Sequence, residues 1–282
     1  MKKSPALLAS IVSGIAIFLA TDPGRSAFTY VDAGGHELRM LISGSGHPAV
    51  VFETGGTPAD GGALEGWDRV QPRVSKFATT VSYDRAGIVW SEPGPKPRDA
   101  RQVARELHTA LGNAHVAPPY ILVGHSFGGP LNRVFAGMYP GEVVGMVLLD
   151  PTQEEFMDWY HDWSQTHDRE HDPHVNPEWK DYQPSLVEAH ESRVPEGIPV
   201  VLVTAMGPRV LPAFMPEKER EEMKLVRPAW LKFHQEWVEK LPKGRHIITE
   251  KSGHGIPFEE PDLVIKTIRE VFDAAQTGDG RR

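Results

Sequence analysis

The sequence predicts an α/β fold in which a mostly parallel, doubly wound sheet carries helices on both faces. Short continuous apolar runs recur along the chain, as is typical of strands buried on both faces of a sheet. Stretches with helical periodicity separate these runs, and this alternation is typical of parallel strands joined by right-handed crossovers. A length of 282 residues would fit one large domain or two small ones. The regular alternation favours a single domain.

The N-terminus has the layout of a bacterial export signal. Lys2 and Lys3 lead an apolar run at residues 6–20, which a Thr-Asp-Pro-Gly sequence ends. Such a run is short for a membrane span but suits the apolar region of a signal peptide. We therefore expect an exported protein, periplasmic or secreted, with a signal peptide at 1–26 and a folded domain at 27–282. The end of the run fits the small-residue cleavage rule poorly, so an uncleaved N-terminal membrane anchor is the alternative.

The folded domain is predicted to begin with a β-hairpin, because two short apolar runs, 28–31 and 38–42, flank the turn pair Gly34-Gly35. Later runs predict six further strands, at 49–52, 79–83, 120–123, 143–149, 199–204 and 246–249. Helical patterns lie between and after them, at 100–111, 131–138, 216–241 and 261–274. The eight predicted strands therefore make one sheet.

One segment interrupts this alternation and is predicted to be an insertion. Residues 152–197 contain three tryptophans and two tyrosines among His, Asp and Pro, with no strand-like run. These aromatic side chains favour an apolar or aromatic small molecule as the substrate.

Composition excludes several classes of function. The formal net charge is -8 and no Lys/Arg run is longer than two residues, which argues against nucleic acid or an anionic membrane surface as a partner. Cysteine is absent, so a disulfide framework, a thiolate nucleophile and a Cys-ligated metal are all excluded. Small neutral or mildly polar molecules fit this charge balance better.

The strongest functional motif is the G-x-S-x-G sequence Gly124-His125-Ser126-Phe127-Gly128, which follows a predicted strand and opens a predicted helix. This context is that of a sharp strand-to-helix turn that exposes a nucleophilic serine, with glycines where a Cβ would clash with nearby backbone. The helix N-terminus also offers free N–H groups to a developing oxyanion. Ser126 is therefore the predicted nucleophile. The alternative is a surface serine in a glycine-rich turn.

A serine hydroxyl needs a base to remove its proton, and thirteen histidines compete for that role. His254 lies after the last predicted strand, on a glycine-flanked loop before the closing helix. This position agrees with the order Ser, acid, His along the chain of serine hydrolases of α/β type. His254 is therefore the predicted base, and a loop histidine without a role is the alternative.

A second histidine pattern, His167-Asp168-Arg169-Glu170-His171, matches the H-x-x-E-H sequence of some zinc proteases. It lies in the insertion, without a long amphipathic helix to hold both imidazoles on one face. We therefore expect His167 and His171 to lie on a solvated helix and predict no metal site.

Together these motifs resemble the α/β-hydrolase fold family, in its bacterial esterase, haloperoxidase-like and haloalkane-dehalogenase-like branch. The resemblance extends over residues 28–274 and rests on Tyr83-Asp84-Arg85-Ala86-Gly87, Val123 to Gly129, Val147 to Asp150 and Ser252-Gly253-His254. It implies a catalytic domain that needs no cofactor, with a cap inserted after the sixth strand at about 152–197. Such motifs are specific for the fold and much less so for the substrate.

The resemblance also implies where the acid of a catalytic triad lies. Many relatives carry it just after the seventh strand, where this chain has no carboxylate until Glu217. Some branches place it at the end of the sixth strand, and Asp150 occupies that position here. Asp150 would orient His254 and stabilise the imidazolium. The alternatives are that Asp150 caps a turn, or that Glu154 or Glu155, expected on the surface of the insertion, supplies the acid.

The oxyanion hole of this fold uses two backbone N–H groups, one from the residue after the nucleophile and one from the loop after the third strand. Phe127 would supply the first. Gly55 is expected to supply the second, with Gly56 as the alternative, because Glu53-Thr54-Gly55-Gly56 stands where relatives often have a His-Gly pair. Glu53 is expected to brace this loop rather than to act as a second catalytic acid.

Serine at position 126 favours acyl transfer, because epoxide hydrolases and dehalogenases need an aspartate there to attack carbon. The sequence therefore predicts a serine hydrolase, most simply a carboxylic ester hydrolase, acting on a small ester-like molecule. Lactonases, aminopeptidases and cofactor-free perhydrolases use the same triad and stay open. A non-catalytic ligand-binding protein on this fold is the alternative from a different class.

Overall fold

The computed structural model describes residues 28–56, 64–165, 179–208 and 217–277, and it confirms the predicted α/β architecture. Within these ranges eight strands form one sheet: β1 (Phe28–Asp32), β2 (Glu37–Ser43), β3 (Ala49–Glu53), β4 (Thr80–Tyr83), β5 (Tyr120–His125), β6 (Val143–Leu149), β7 (Val200–Ala205) and β8 (Gly244–Thr249). Their spatial order is β1-β2-β4-β3-β5-β6-β7-β8. The pairs β1–β2 and β2–β4 are antiparallel, and every later pair in this order is parallel.

Helices cover both faces of this sheet. The described helices are α1 (Gln71–Val74), α2 (Ala100–Asn113), α3 (Gly128–Met138), α4 (Glu154–Gln165), α5 (Trp179–Glu191), α6 (Glu217–Val238), α7 (Ile256–Glu259) and α8 (Pro261–Gln276). Strand β5 shows the alternation, since Leu122 belongs to the same buried cluster as Phe135 of α3 on one face, whereas Ile121 belongs to the cluster of Phe272 of α8 on the other. Burial on both faces explains why the strands are continuously apolar.

The predicted elements differ from the observed ones mainly at their ends. Helix α3 begins at Gly128 rather than at 131, because Pro130 lies in the first turn, where its missing N–H removes no hydrogen bond. The last strand begins at Gly244, two residues before the apolar run. Helix α6 ends at Val238 although the helical pattern extends to 241.

The segment predicted to be an insertion supplies two helices between β6 and β7. Helix α4 packs against α6, whereas α5 packs against α2 and α3 and buries Leu186 and Ala189. The part of the segment that forms α5 therefore belongs to the helical layer that covers the sheet. The part that forms α4 lies with α6.

Glu154 is not the surface residue that the sequence suggested. Its carboxylate is buried and accepts two hydrogen bonds from the Arg133 guanidinium, at 2.5 and 2.6 Å. Arg133 also donates to the carbonyl oxygen of Ala189, at 2.9 Å, and stacks 4.7 Å above the Trp237 ring. One buried guanidinium from α3 thus joins α4, α5 and α6. The surface expectation failed because the periodicity of α4 does not reveal a charged partner on another helix.

Two features of the sequence lie outside the described residues and stay predictions, namely the export segment 1–26 and the pattern from His167 to His171. Among the helices that the structure does describe, none has the length and apolar character needed to cross a membrane.

Glu154→Ala should lower the free energy of unfolding by about 3–5 kcal/mol, because it leaves the buried Arg133 guanidinium without a counter-charge. Urea denaturation followed by circular dichroism measures this loss. Glu191→Ala is the matched control, since it removes an exposed partner of Arg101 and should cost less than about 1 kcal/mol. Equal losses in the two variants would contradict a structural role for the buried pair.

Candidate active site

Ser126 lies in the turn between β5 and α3 and has a backbone φ of 53°. This is the left-handed region, which residues other than glycine rarely adopt. Hydrogen bonds hold the turn in this conformation: the Ser126 N–H donates to the Leu149 carbonyl at 3.0 Å, and the Ser126 carbonyl accepts from the N–H groups of Gly129 and Thr152, each at 2.9 Å. The surrounding backbone thus maintains a strained serine, as is common at functional sites.

The glycines of the motif permit the close approach of three backbone segments. A Cβ at Gly124 would lie 2.6 Å from the Gly128 carbonyl oxygen. A Cβ at Gly128 would lie 2.4 Å from the carbonyl oxygen of Glu53 at the end of β3. A larger residue at Gly124 would push α3 away from β5, and a larger residue at Gly128 would push the serine turn away from the end of β3.

The residues predicted to form an oxyanion hole lie on either side of Ser126. Phe127 precedes the first residue of α3, and its N–H makes no hydrogen bond within the described part of the chain. Gly55 packs directly against the serine, since a Cβ built on it would lie 3.0 Å from Ser126 Cβ and 3.4 Å from Oγ. Gly56 is exposed. The structure therefore brings Ser126, Phe127 and Gly55 together.

A buried arginine holds the loop that carries Gly55. Arg85 donates from Nη1 to the Glu53 carboxylate at 2.6 Å and from Nη2 to the Gly55 carbonyl at 2.7 Å. The Tyr83 hydroxyl donates to the other Glu53 oxygen. Glu53 thus has the bracing role predicted for it. Arg85 was not predicted to take part, although it lies within the Tyr83 to Gly87 motif.

Asp150 and His254 are directly hydrogen-bonded, with 2.7 Å between Asp150 Oδ2 and His254 Nδ1. The other carboxylate oxygen, Oδ1, accepts from the Ala205 N–H at 3.0 Å and from Trp230 Nε1 at 2.7 Å. Because Asp150 acts as an acceptor throughout, Nδ1 of His254 carries a proton and Nε2 can accept one. The His254 side chain is 48% exposed and Asp150 is 5% exposed.

The partners of Asp150 keep it ionised. Burial by itself raises the pKa of a carboxyl group. Hydrogen bonding and charge from His254, with smaller contributions from His234 and Trp230, outweigh this burial and lower the pKa of Asp150 below its ordinary value.

Ser126 and His254 lie at the same edge of the sheet, but no hydrogen bond joins Ser126 Oγ to the His254 ring in the described structure. Their connection runs through the neighbouring residue, His125. Its Nε2 donates to the His254 carbonyl oxygen at 2.7 Å, and the two rings lie 4.8 Å apart. The structure thus pairs Asp150 with His254, and it ties the His254 loop to the serine turn.

A chain of buried polar groups supports the residue that follows Asp150. His234 Nε2 must donate to the Pro151 carbonyl, at 2.7 Å, since a carbonyl can only accept. The Thr204 hydroxyl then donates to His234 Nδ1 and accepts from His246 Nε2, each at 2.7 Å. Burial lowers the pKa of His234 to about 4, so this ring is neutral at neutral pH.

A cavity of about 250 Å³ opens beside the Asp150–His254 pair. Most of its wall is apolar, from Phe156, Met157 and Tyr160 of α4, Val226 and Trp230 of α6, and the Ala205 to Gly207 segment. The lining includes Asp150 and His254 but not Ser126, so the cavity extends from the histidine side of the site.

Glu154, Glu155 and His190 are the residues, within the described ranges, whose ligand atoms lie close enough together to hold a metal ion. The Glu154 carboxylate is already bound through both oxygens by Arg133. A guanidinium in this position would repel a cation, so the cluster does not suit a metal.

Sequence reasoning missed the partners of Asp150 that come from α6. Trp230 lies 80 residues away from Asp150 along the chain, and neither Trp230 nor His234 belongs to a recognisable motif. The spacing of Arg227, Trp230 and His234 at i, i+3 and i+7, which places polar groups on one helix face, was the available signal.

Comparison with known proteins places this arrangement in a family. The sequence profile of the alpha/beta hydrolase fold matches residues 48–187. The uncharacterized protein YqjL of Bacillus subtilis is 28% identical over 234 residues, which cover 82% of this chain and 86% of YqjL. Other relatives match over shorter segments, and this chain spans less than half of their length.

Solved structures of hydrolases share the fold. A serine hydrolase involved in carbazole degradation, the CarC enzyme, superimposes with a TM-score of 0.57 at 16% identity, over 88% of this chain and 99% of that one. A thermophilic esterase from Thermogutta terrifontis gives a TM-score of 0.58 at 16% identity, over 89% and 99% of the two chains. The order of the strands and these similar structures show the fold, and the matching profile shows that the chain belongs to the α/β-hydrolase fold family.

Proposed function

We propose that this protein is a serine hydrolase that cleaves small carboxylic esters through an acyl-enzyme on Ser126. The observation that carries the proposal is the 2.7 Å hydrogen bond between Asp150 Oδ2 and His254 Nδ1, at the sheet edge where the strained Ser126 turn follows β5. A buried carboxylate that orients an imidazole next to a partly exposed serine is the arrangement that activates a hydroxyl nucleophile.

In the proposed reaction, Ser126 Oγ attacks the ester carbonyl carbon while His254 Nε2 takes the hydroxyl proton. The resulting imidazolium is stabilised by the ionised Asp150. It then gives the proton to the leaving alkoxide, so the alcohol departs and the acyl group stays on Ser126. A water molecule, deprotonated by the same nitrogen, releases the carboxylic acid and restores the serine.

The tetrahedral intermediates of both steps carry a negative oxygen. The N–H groups of Phe127 and Gly55 flank Ser126 and would donate hydrogen bonds to this oxygen. Arg85 contributes indirectly, because it holds the Gly55 carbonyl and the Glu53 carboxylate and so fixes the loop that presents the Gly55 N–H.

The hydrogen bond between Ser126 Oγ and His254 Nε2 is expected to form when substrate binds. Catalytic hydrogen bonds in free enzymes are commonly long or misaligned and tighten in the substrate complex. The 48% exposure of the His254 side chain leaves space for this adjustment, while its Nδ1 stays fixed by Asp150.

The similar structures support hydrolysis of this kind, since one is named a serine hydrolase and another an esterase. Lactones and aminoacyl amides react through the same acyl-enzyme chemistry. A panel of aryl esters, lactones and aminoacyl arylamides would rank these substrate classes by kcat/KM, and we expect the esters to lead.

Ser126→Ala should lower kcat by about a thousandfold or more without unfolding the protein, because the members of a triad act as a unit. A fluorophosphonate probe should label the wild type and fail to label this variant. Ser192→Ala is the matched control and should keep its labelling, because its hydroxyl only bonds the Glu188 carbonyl within a helical turn. Persistent strong labelling of Ser126→Ala protein would show that another residue is the nucleophile.

Asp150→Asn should lower kcat by up to about ten-thousandfold, because the amide permits the wrong tautomer of His254. Trp230→Phe removes one donor to the carboxylate while keeping a ring in place, and should lower kcat by about tenfold. Glu155→Gln is the control for a nearby carboxylate and should change kcat by less than about tenfold. Full activity in the Asp150 variant, with loss in the Glu155 variant, would move the acid to Glu155.

A further inference from the structure

The cavity beside His254 contains one positively charged side chain, Arg227, in a wall that is otherwise mostly apolar. Arg227 is partly buried, and its Nη2 donates to the Gly207 carbonyl oxygen at 2.7 Å. In the described parts of the chain it has no carboxylate within ion-pair distance. A guanidinium has five N–H donors, and one carbonyl leaves most of them without a partner among the described residues.

This lack of a counter-charge sets the partly buried Arg227 apart from Arg85 and Arg133, the fully buried arginines of the described chain. Arg85 pairs with Glu53 at 2.6 Å, and Arg133 pairs with Glu154 through both of its terminal nitrogens. Each of these pairs offsets the cost of removing a guanidinium from water. An arginine in an apolar cavity without such a partner is suited to bind an anion from outside, because its planar fork matches a carboxylate.

The position of Arg227 is fixed relative to His254. The Gly207 carbonyl that it holds belongs to a residue whose N–H donates to the Ser252 carbonyl at 2.9 Å. Ser252 lies two residues before His254 on the same loop. A ligand group bound to Arg227 would therefore sit at a constant distance from the imidazole, as substrate positioning requires.

The negative charge of Asp150 does not neutralise Arg227. Asp150 also lines the cavity, but its two oxygens already accept three hydrogen bonds, from His254, Trp230 and Ala205. Its negative charge is directed toward His254, and Arg227 is the lysine or arginine among the described residues that line the cavity. The apolar wall formed by α4 and α6 would contact the rest of the ligand.

We propose that Arg227 binds a carboxylate of the substrate, so that the enzyme prefers esters that carry a free carboxylate on a short apolar stem. This inference rests on the proposed ester hydrolysis at Ser126 and names its substrate class. The volume of about 250 Å³ suits a small molecule, and the local charge of Arg227 would offset the repulsion of an anion by a chain whose formal net charge is -8.

Two matched pairs of esters test the proposal. Mono-4-nitrophenyl glutarate and 4-nitrophenyl pentanoate differ by a carboxylate on the acyl side, whereas 4-acetoxybenzoate and its methyl ester differ by a carboxylate on the alcohol side. The measured quantity is the ratio of kcat/KM for the anionic ester to that for the neutral ester. Arg227→Gln should lower this ratio by about tenfold or more in at least one pair, and the pair affected tells which side of the ester enters the cavity.

Lys232→Gln is the matched control, because it removes a cation from the same helix at an exposed position outside the cavity. Its ratio should stay within about twofold of the wild-type value in both pairs. Equal ratios in wild-type and Arg227→Gln protein for both pairs would overturn the proposal, as would an equal fall in the Lys232 variant. Arg227→Lys keeps the charge and should retain part of the preference, which separates loss of the anion site from misfolding.

Binding provides a readout that does not depend on turnover. In the Ser126→Ala background, calorimetry with 4-acetoxybenzoate and mono-4-nitrophenyl glutarate should show affinity that falls about tenfold or more on Arg227→Gln. If wild-type protein cleaves no ester but this binding persists, the ester chemistry is wrong and the anion site stands. If esters are cleaved and neither ligand binding nor the ratios depend on Arg227, the anion site is wrong.

Discussion

The hydrogen-bond ladder of the parallel sheet continues one residue beyond β5 and β6, and the rest of the site depends on this continuation. The Ser126 N–H bonds the Leu149 carbonyl at the end of β6, and the Asp150 N–H bonds the Val203 carbonyl of β7. Both residues adopt positive φ, 53° and 44°, as the chain leaves the sheet. The register of three strands thus sets Ser126 and Asp150 at the ends of neighbouring strands on the carboxyl edge, where ligands bind in open α/β sheets.

Side chains from one face of α6 contact the groups that follow the ends of β6 and β7. Arg227, Trp230 and His234 follow one another at i, i+3 and i+7, and their side chains contact the Gly207 carbonyl, the Asp150 carboxylate and the Pro151 carbonyl. The same helix therefore orients the Asp150 carboxylate, supports the backbone after it and supplies the positive charge of Arg227 to the cavity. Helix α6 packs against α4. A ligand held between these two helices would therefore affect the orientation of the Asp150 carboxylate.

Much of the fold and part of the site could be predicted from the sequence. The strands were predictable because burial on both faces makes them continuously apolar. The Ser126 turn was predictable because close backbone contacts require glycine at positions 124 and 128. Asp150 needed a family resemblance, since a carboxylate at a strand end is common. The contacts of Arg133, Trp230 and His234 could not be predicted, because they join residues far apart in sequence and depend on how helices rotate about their axes. The positive charge in the cavity was unexpected, because the net charge of the whole sequence does not reveal a single arginine without a counter-charge at one site.

The central claim is that the Asp150–His254 pair activates Ser126 to form an acyl-enzyme. Acid quenching during turnover of a slowly deacylating 4-nitrophenyl ester, followed by mass spectrometry of the peptides, tests this claim most directly. We expect the mass of the acyl group on the peptide that contains Ser126, and no adduct when His254 is replaced by alanine. Turnover without any acylated peptide, or an acyl group on a different residue, would contradict the account.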